Sequence, residues 1–324
     1  MHENMRVNFR TTSASARKSR RDFLGRPCPT GGADFANAPG NCKAISGTQT
    51  SQFFKLQRAK SGLNKIFILT ALPLLLTGCA TVYNPATGAK EYIMIGTAQE
   101  VSIGNQVAAE IEAKYKLSQD TALIERVNAI GRKIAAVSDR QDLKYYFKVL
   151  DSKEINALST PGGYVYVNSG LMDTANDDEL AAVVGHEVGH IAARHAVQAM
   201  QANMGASLLA SLVFSQVKTA GQVRQAAAIG LNLIMLGYSR GDEFEADKLG
   251  VRYAYYAGFD PNGEVTFLEK LQRQEKGSSA NKAPVYLSSH PLYSDRIAKA
   301  GAYAAYLKET HSRPPVQPPV PAKQ

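Results

Sequence analysis

From residue 98 onward, apolar side chains recur at three- and four-residue steps, the spacing of one helix face. Over 98–116 the set is Val101, Val107 and Ile111, and over 119–137 it is Ile124, Val127, Ile130 and Ile134. Residues 145–150 and 164–167 instead group aromatic and β-branched side chains and predict strands, with Pro161-Gly162-Gly163 as the turn into the second. A helix begins near Asn176, which can cap it with Glu179 three residues on, and Asp177 and Asp178 suit its positive end. Residues 203–237 are rich in Ala, Leu and Ile but broken by Gly205, Gly221 and Gly230, with Lys218 and Arg224 between. No run there reaches the roughly 20 apolar residues a membrane span needs. Two buried or groove-lining helices are predicted, with a membrane-inserted pair as the alternative. Helices over 242–257, 261–275 and 294–308 follow, and no repeat of 20–50 residues is visible.

The pattern before residue 98 differs. Residues 1–54 are polar, basic and rich in Gly, Ser, Thr and Asn, a composition that predicts disorder. They fit no signal peptide, so translation is expected to start near 55–63 and the stretch upstream to be spurious. From 55 to 65 the chain is basic, and 66–76 is apolar, the layout of a signal peptide over 55–78. It ends in Leu76-Thr77-Gly78-Cys79, which resembles a bacterial lipoprotein box whose Cys79 becomes acylated and anchors the chain. Ala80 and Thr81 follow in place of an Asp, which by the same resemblance implies the outer membrane, facing the periplasm. Residues 79–96 read as a lipidated tether with turns at Asn84-Pro85 and Thr87-Gly88. The folded domain is expected over 97–310, and the Pro-rich stretch 311–324 as a disordered tail.

Charge follows the same division. The chain of 324 residues has a net charge of +9. Twelve of its 37 Lys and Arg but only three of its 28 Asp and Glu lie in 1–78, so the remainder holds 25 of each and is neutral. A neutral body offers no footprint for a phosphate backbone, which excludes nucleic acid as a partner. Cys28, Cys42 and Cys79 are the only cysteines. A metal site in the body must therefore be built from His, Asp or Glu.

His186-Glu187-Val188-Gly189-His190 lies within the helix predicted from Asn176. Residues i and i+4 share a helix face, so the two imidazoles can converge on one ion. A catalytic zinc takes three protein ligands and a water, and Glu187 is placed to accept a proton from that water. Downstream, Glu243 and Asp247 stand at i and i+4 on a second predicted helix. One can ligate the metal while the other accepts a hydrogen bond from a liganding histidine.

Four segments in order carry a resemblance: NALSTPGGYVYVNSGL at 156–171, DDELAAVVGHEVGHIAARH at 177–195, YSRGDEFEADKLG at 238–250 and HPLYSDRI at 290–297. Together they resemble the zinc peptidases related to bacterial HtpX and the eukaryotic CAAX prenyl endopeptidase, and within these the short periplasmic lipoprotein members. The resemblance implies one zinc per chain on His186, His190 and Glu243, with Asp247 behind a liganding histidine. It implies an α+β fold, mainly helical, with a small mixed sheet packed against the zinc helix. Tyr164, Val165, Tyr166, Val167 and Asn168 would be the edge strand that binds extended substrate by strand addition. Ser159-Thr160 depart from the family pattern, which has apolar residues there. Such relatives are linked to quality control of outer-membrane proteins, so the implied substrates are unfolded or misfolded envelope proteins.

His195, five residues after His190, falls about 140° around a continuous helix and is expected to be structural. His290 is either a satisfied surface histidine or a loop side chain over the zinc, stabilising an oxyanion or filling the open coordination position. Arg296 reads as a buried ion-pair partner, and Tyr238 and Tyr286 as alternative donors. The expected reaction is metal-assisted peptide hydrolysis with Glu187 as general base. The rival is a non-catalytic or latent zinc-binding lipoprotein acting as an assembly scaffold.

Overall fold

The helices predicted over 98–116, 119–137, 242–257, 261–275 and 294–308 appear within two residues of those limits, and the one predicted from Asn176 starts at Asp177. The computed structural model describes residues 80–214, 219–277, 285–292 and 294–310. The leader with Cys79, the 278–284 stretch and the 311–324 tail lie outside them. Strands β1 (Ala80–Tyr83) and β2 (Lys90–Ile93) form an antiparallel hairpin. Helices α1 (Thr97–Lys114) and α2 (Thr121–Val137) follow, the second capped by the Asp120 side chain. Then come β3 (Tyr146–Leu150), β4 (Ala157–Thr160) and β5 (Tyr164–Asn168). The rest is helical: α3 (Ser169–Thr174), α4 (Asp177–Ala192), α5 (His195–Asn203), α6 (Ala206–Phe214) and α7 (Ala220–Leu236). Helices α8 (Arg240–Tyr256), α9 (Gly263–Gly277), α10 (Tyr286–Ser289) and α11 (Arg296–Thr310) complete the chain. The fold is α+β and mainly helical, as expected.

The stretch read as a tether is instead the hairpin β1–β2. Its turn is organised by Asn84, whose side-chain oxygen accepts from the backbone of Ala86 at 2.8 Å. Side-chain to backbone bonds of this kind make Asn a turn former. Gln201 of α5 holds the far end, accepting from the backbone N–H of Met94 and Ile95.

The three-stranded sheet runs β3–β5–β4, with β5 parallel to β3 and antiparallel to β4. Residues Tyr164 to Asn168 are therefore the middle strand, which corrects their assignment as an edge. With β3 on one side and β4 on the other, β5 has no free backbone edge for a peptide to join. The strand bordering the site is β4, unrecognised in the sequence. Its four residues ALST are all buried, so the period-two alternation that reveals a half-exposed strand is missing. Val165 and Val167 face a core shared with α2, α4, α8 and α9, while Tyr166 faces a second one with α1, α5 and α7.

Helix α4 starts as predicted: Asn176 and Glu179 form a reciprocal capping box. It is buried along almost its whole length, and α8 is its most extensive partner. The close approach depends on glycine. A Cβ at Gly250 would stand 2.8 Å from the backbone nitrogen of His186, and one at Gly189 would stand 3.0 Å from the Ala246 oxygen. Removing these methyl groups brings the carboxylates of α8 against the imidazoles of α4.

Candidate metal centre

Helix α4 supplies His186, Glu187 and His190, α8 supplies Glu243 and Asp247, and the turn after α10 supplies His290. His186, Glu187 and Glu243 are fully buried, and the others nearly so. One atom each from His186, His190, Glu243 and His290 lies within 4.8 Å of the others. The sequence-predicted ligands thus meet, and His290 joins them rather than lying on the surface.

The hydrogen bonds fix which ring nitrogens face inward. Asp247 Oδ1 is 2.9 Å from His186 Nδ1. Burial opposes ionisation of Asp247, but Arg296 and the bond from His186 outweigh it, so its pKa is lowered. An ionised carboxylate only accepts, so His186 Nδ1 carries the proton and Nε2 presents a lone pair. A second chain fixes His190. Glu245 Oε2 lies 3.2 Å from His195 Nε2, and that bond is the main reason the Glu245 pKa is lowered. His195 therefore donates from Nε2 and accepts at Nδ1, where His190 Nδ1 stands 2.8 Å away. His190 Nδ1 must be the donor, which leaves Nε2 as its lone pair too. Burial pushes the His190 pKa well below the usual range, keeping the ring neutral.

His186 Nε2 and His190 Nε2 are 3.0 Å apart. Two lone pairs held that close by fixed partners repel, and a shared cation removes the conflict. Glu243 brings its carboxylate to the same point, 3.5 Å from His190 Nε2 and 3.7 Å from His186 Nε2. Burial would raise the Glu243 pKa, but His290, through its charge and its hydrogen bond, holds it well below the ordinary range. Glu243 Oε2 forms an ion pair with Arg296 at 2.7 Å yet takes no hydrogen bond. Two imidazole lone pairs and one ionised carboxylate fit a zinc site of the three-ligand, catalytic type.

Glu187 points one oxygen at each of two neighbours. Ser159 of β4 donates to Oε2 at 2.8 Å, while Oε1 is buried without a hydrogen bond, 3.4 Å from His290 Nε2. The Ser159 contact had no counterpart in the sequence reading, where the position stood out only as a departure from a family pattern. His290 Nδ1 lies 3.0 Å from Glu243 Oε1 and 3.2 Å from His186 Nε2. Burial opposes its protonation, but Glu243 and Glu187 raise its pKa.

The remaining expectations also resolve. His195 stands outside the cluster and braces His190, but not because a helix carries it away. Helix α4 ends at Ala192, and Arg194 adopts a left-handed conformation at φ 58° that turns His195 back onto His190. Glu100, itself paired with Arg140, holds Arg194 in place at 3.2 Å. Such backbone persists only when its surroundings enforce it. Arg296 grips both oxygens of Asp247 at 2.7 and 2.8 Å, the buried ion pair that was expected. Tyr238 and Tyr286 stack on His190 and His290, with centroids 3.9 and 4.5 Å apart. Glu264, which sequence gave no reason to single out, is buried beside Asp247. Burial and that charge push its pKa well up, so it is a neutral acid behind the site.

A narrow cleft reaches the centre, lined by Leu158, Ser159, Glu187, Met235, Tyr238 and His290 among others. Beyond Tyr238 a second depression continues along Ser159, Thr160 and Pro161. Both follow β4.

Residues 122–304 match the model of Peptidase family M48. The chain is 29% identical over 239 residues to the Beta-barrel assembly-enhancing protease of Escherichia coli K12, covering 70% of this chain and 48% of that protein. It is 26% identical over 242 residues to Metalloprotease LoiP of the same organism, covering 72% of this chain and 94% of that one. The Mitochondrial metalloendopeptidase OMA1 of Schizosaccharomyces pombe is 33% identical over 175 residues, 53% of this chain and 50% of the relative. The chain thus spans about half the length of the barrel-assembly proteases it matches. With more than half of its length under one family model, the chain belongs to Peptidase family M48, the zinc metallopeptidases.

Proposed function

We propose that this protein is a zinc-dependent endopeptidase, lipid-anchored through Cys79 at the periplasmic face of the outer membrane, acting on unfolded or misassembled envelope proteins. The observation that carries the catalytic part is the pair of opposed lone pairs on His186 and His190 beside Glu243, 3.0 Å apart and fixed by separate partners. A zinc ion on His186, His190 and Glu243 would supply Lewis acidity to a scissile carbonyl and to water.

Glu187 is the general base. Its Oε1 has no hydrogen bond to surrender before it takes a proton. The same carboxyl then returns the proton to the leaving amine. Ser159 restrains Oε2, so the carboxylate keeps its aim during the transfer. An extended substrate would lie along β4, whose backbone is paired among the described residues on one side only, with β5. His290 sits among the ligands and against Glu187, where substrate would have to enter, so we read this conformation as closed. Turnover then requires His290 to withdraw.

The envelope setting is supported by the LTGC box at Cys79 and by the names of the relatives. A second reading, a non-catalytic zinc-binding scaffold, draws on the same position of His290. Cleavage of an unfolded outer-membrane β-barrel protein by the zinc-loaded chain, compared with Glu187→Gln, separates the two. Equal activity in both preparations would end the peptidase assignment to this site.

A further inference from the structure

The hairpin β1–β2 has two sharply different faces. Its register pairs Thr81 with Tyr92 and Tyr83 with Lys90, so these four side chains stand on one face. The other face carries Val82, Glu91 and Ile93. Val82 and Ile93 pack into the second core, and Glu91 bonds Asn84 and Gln198. In a hairpin with one face on the core, the outer face is ordinarily polar. Here it is not. Tyr83 is 66% exposed, Tyr92 73% and Met94, next on the same side, 38%. These are three of the seven large hydrophobic side chains exposed among the described residues. Lys90 stands among them, its ammonium 5.7 Å over the Tyr83 ring.

Tyrosine and lysine side by side, with an apolar side chain next to them, match the boundary between lipid headgroups and acyl chains. Tyrosine places an apolar ring in the boundary and a hydroxyl in water, and lysine meets anionic headgroups. The sequence says what brings such a surface near. Cys79, the residue of the LTGC box, directly precedes β1. At no more than about 3.6 Å of chain per residue, Thr81 can lie no further than roughly 7 Å from it, and Tyr83 no further than roughly 14 Å.

We infer that the outer face of this hairpin, formed by Tyr83, Lys90, Tyr92 and Met94, rests on the phospholipid surface into which Cys79 is anchored. The inference deepens the lipid-anchor reading and rests on it for the occupant. It turns a flexible leash into an oriented contact. Asn84, in the hairpin turn, donates to Glu245 at 2.6 Å, and Glu245 is the residue that orients His195 behind His190. The face on lipid is thereby tied to the metal side of the domain.

The chain contains no tryptophan, so Tyr92→Trp gives a single emission probe. The full chain carrying it is prepared in the acylated form and as Cys79→Ser, and each is mixed with phosphatidylethanolamine–phosphatidylglycerol vesicles, with and without brominated lipid. The expected result is a blue shift and bromine quenching in both forms. Tyr83→Ser with Tyr92→Ser should weaken partitioning of the Cys79→Ser protein about tenfold without moving its unfolding midpoint. If the acylated chain sediments with vesicles while its tryptophan keeps vesicle-free emission, the anchor stands and the hairpin contact is overturned. If mass spectrometry finds no lipid on Cys79, the anchor reading fails, and the Cys79→Ser arm alone decides the hairpin. A shift that appears only when envelope protein is added makes the face a protein-docking surface and overturns the inference.

Discussion

His186 Nε2 and His190 Nε2 face one another across 3.0 Å, and neither ring can turn its proton inward. Asp247 holds one ring by Nδ1 and His195 holds the other. The arrangement is costly without a cation, and it predicts where metal affinity is controlled.

His195→Ala, or Glu245→Gln one step further out, releases the His190 tautomer while leaving every ligand in place. Loss of an outer partner of this kind lowers metal affinity by about 10–100-fold. Competition with a fluorescent zinc chelator measures it, and unchanged affinity in both variants would remove the chain Glu245–His195–His190 from the account.

Glu187→Gln keeps a side chain of nearly the same shape but cannot accept a proton. Zinc content should be unchanged while turnover on an unfolded protein falls roughly 10²–10⁴-fold, the range of general base catalysis. Metal analysis and a cleavage assay on one preparation check both halves.

Ser159→Ala removes the 2.8 Å bond to Glu187 Oε2 in a buried setting. A hydrogen bond to a charged group contributes about 1.5–3 kcal/mol, so a stability loss of that order is expected in chemical denaturation. Activity should fall with it, through turnover more than through KM, and Ser159→Thr should restore part of both.

His290→Ala removes the side chain that lies among the ligands and 3.4 Å from Glu187. Turnover should rise several-fold if the closed conformation is self-inhibiting. A fall would mean that His290 serves the reaction itself, as an oxyanion donor.

Acidification tests the carboxylates. Glu243 and Asp247 have folded pKa values below their ordinary 4.5 and 3.8. A group depressed in the folded state binds fewer protons there, so its stabilisation is full above the unfolded value and lost as pH falls through the folded one. The metal-free protein should lose stability progressively below about pH 4.5. Asp247→Asn should be less stable at neutral pH, with a shallower slope. Urea unfolding at a series of pH values reads both.

Much of the site was legible because it rests on local rules. The i, i+4 spacing of His186 with His190, and of Glu243 with Asp247, requires only a helix, and the Asn176–Glu179 box announced one of the two. What escaped depends on backbone placement that periodicity does not encode. Strand β4 is buried on both faces and shows no alternation, so β5 was taken for the edge. Extrapolating α4 past Ala192 sent His195 away from the metal, because nothing local marks Arg194 as left-handed. Its partner Glu100 lies 94 residues earlier in sequence. The contact of Ser159 with Glu187 joins a strand to a helix 28 residues on, and no spacing rule reaches that far. The hairpin was missed because four-residue strands with Tyr facing outward break the expected inside–outside pattern.

X-ray absorption at the zinc edge of the purified full chain tests the central claim most directly. All three cysteines precede β1, so the account predicts one zinc per chain with nitrogen and oxygen donors only, at about 2.0–2.2 Å, and much reduced zinc in Glu243→Ala. A sulfur shell near about 2.3 Å, or full zinc occupancy in Glu243→Ala, would contradict it.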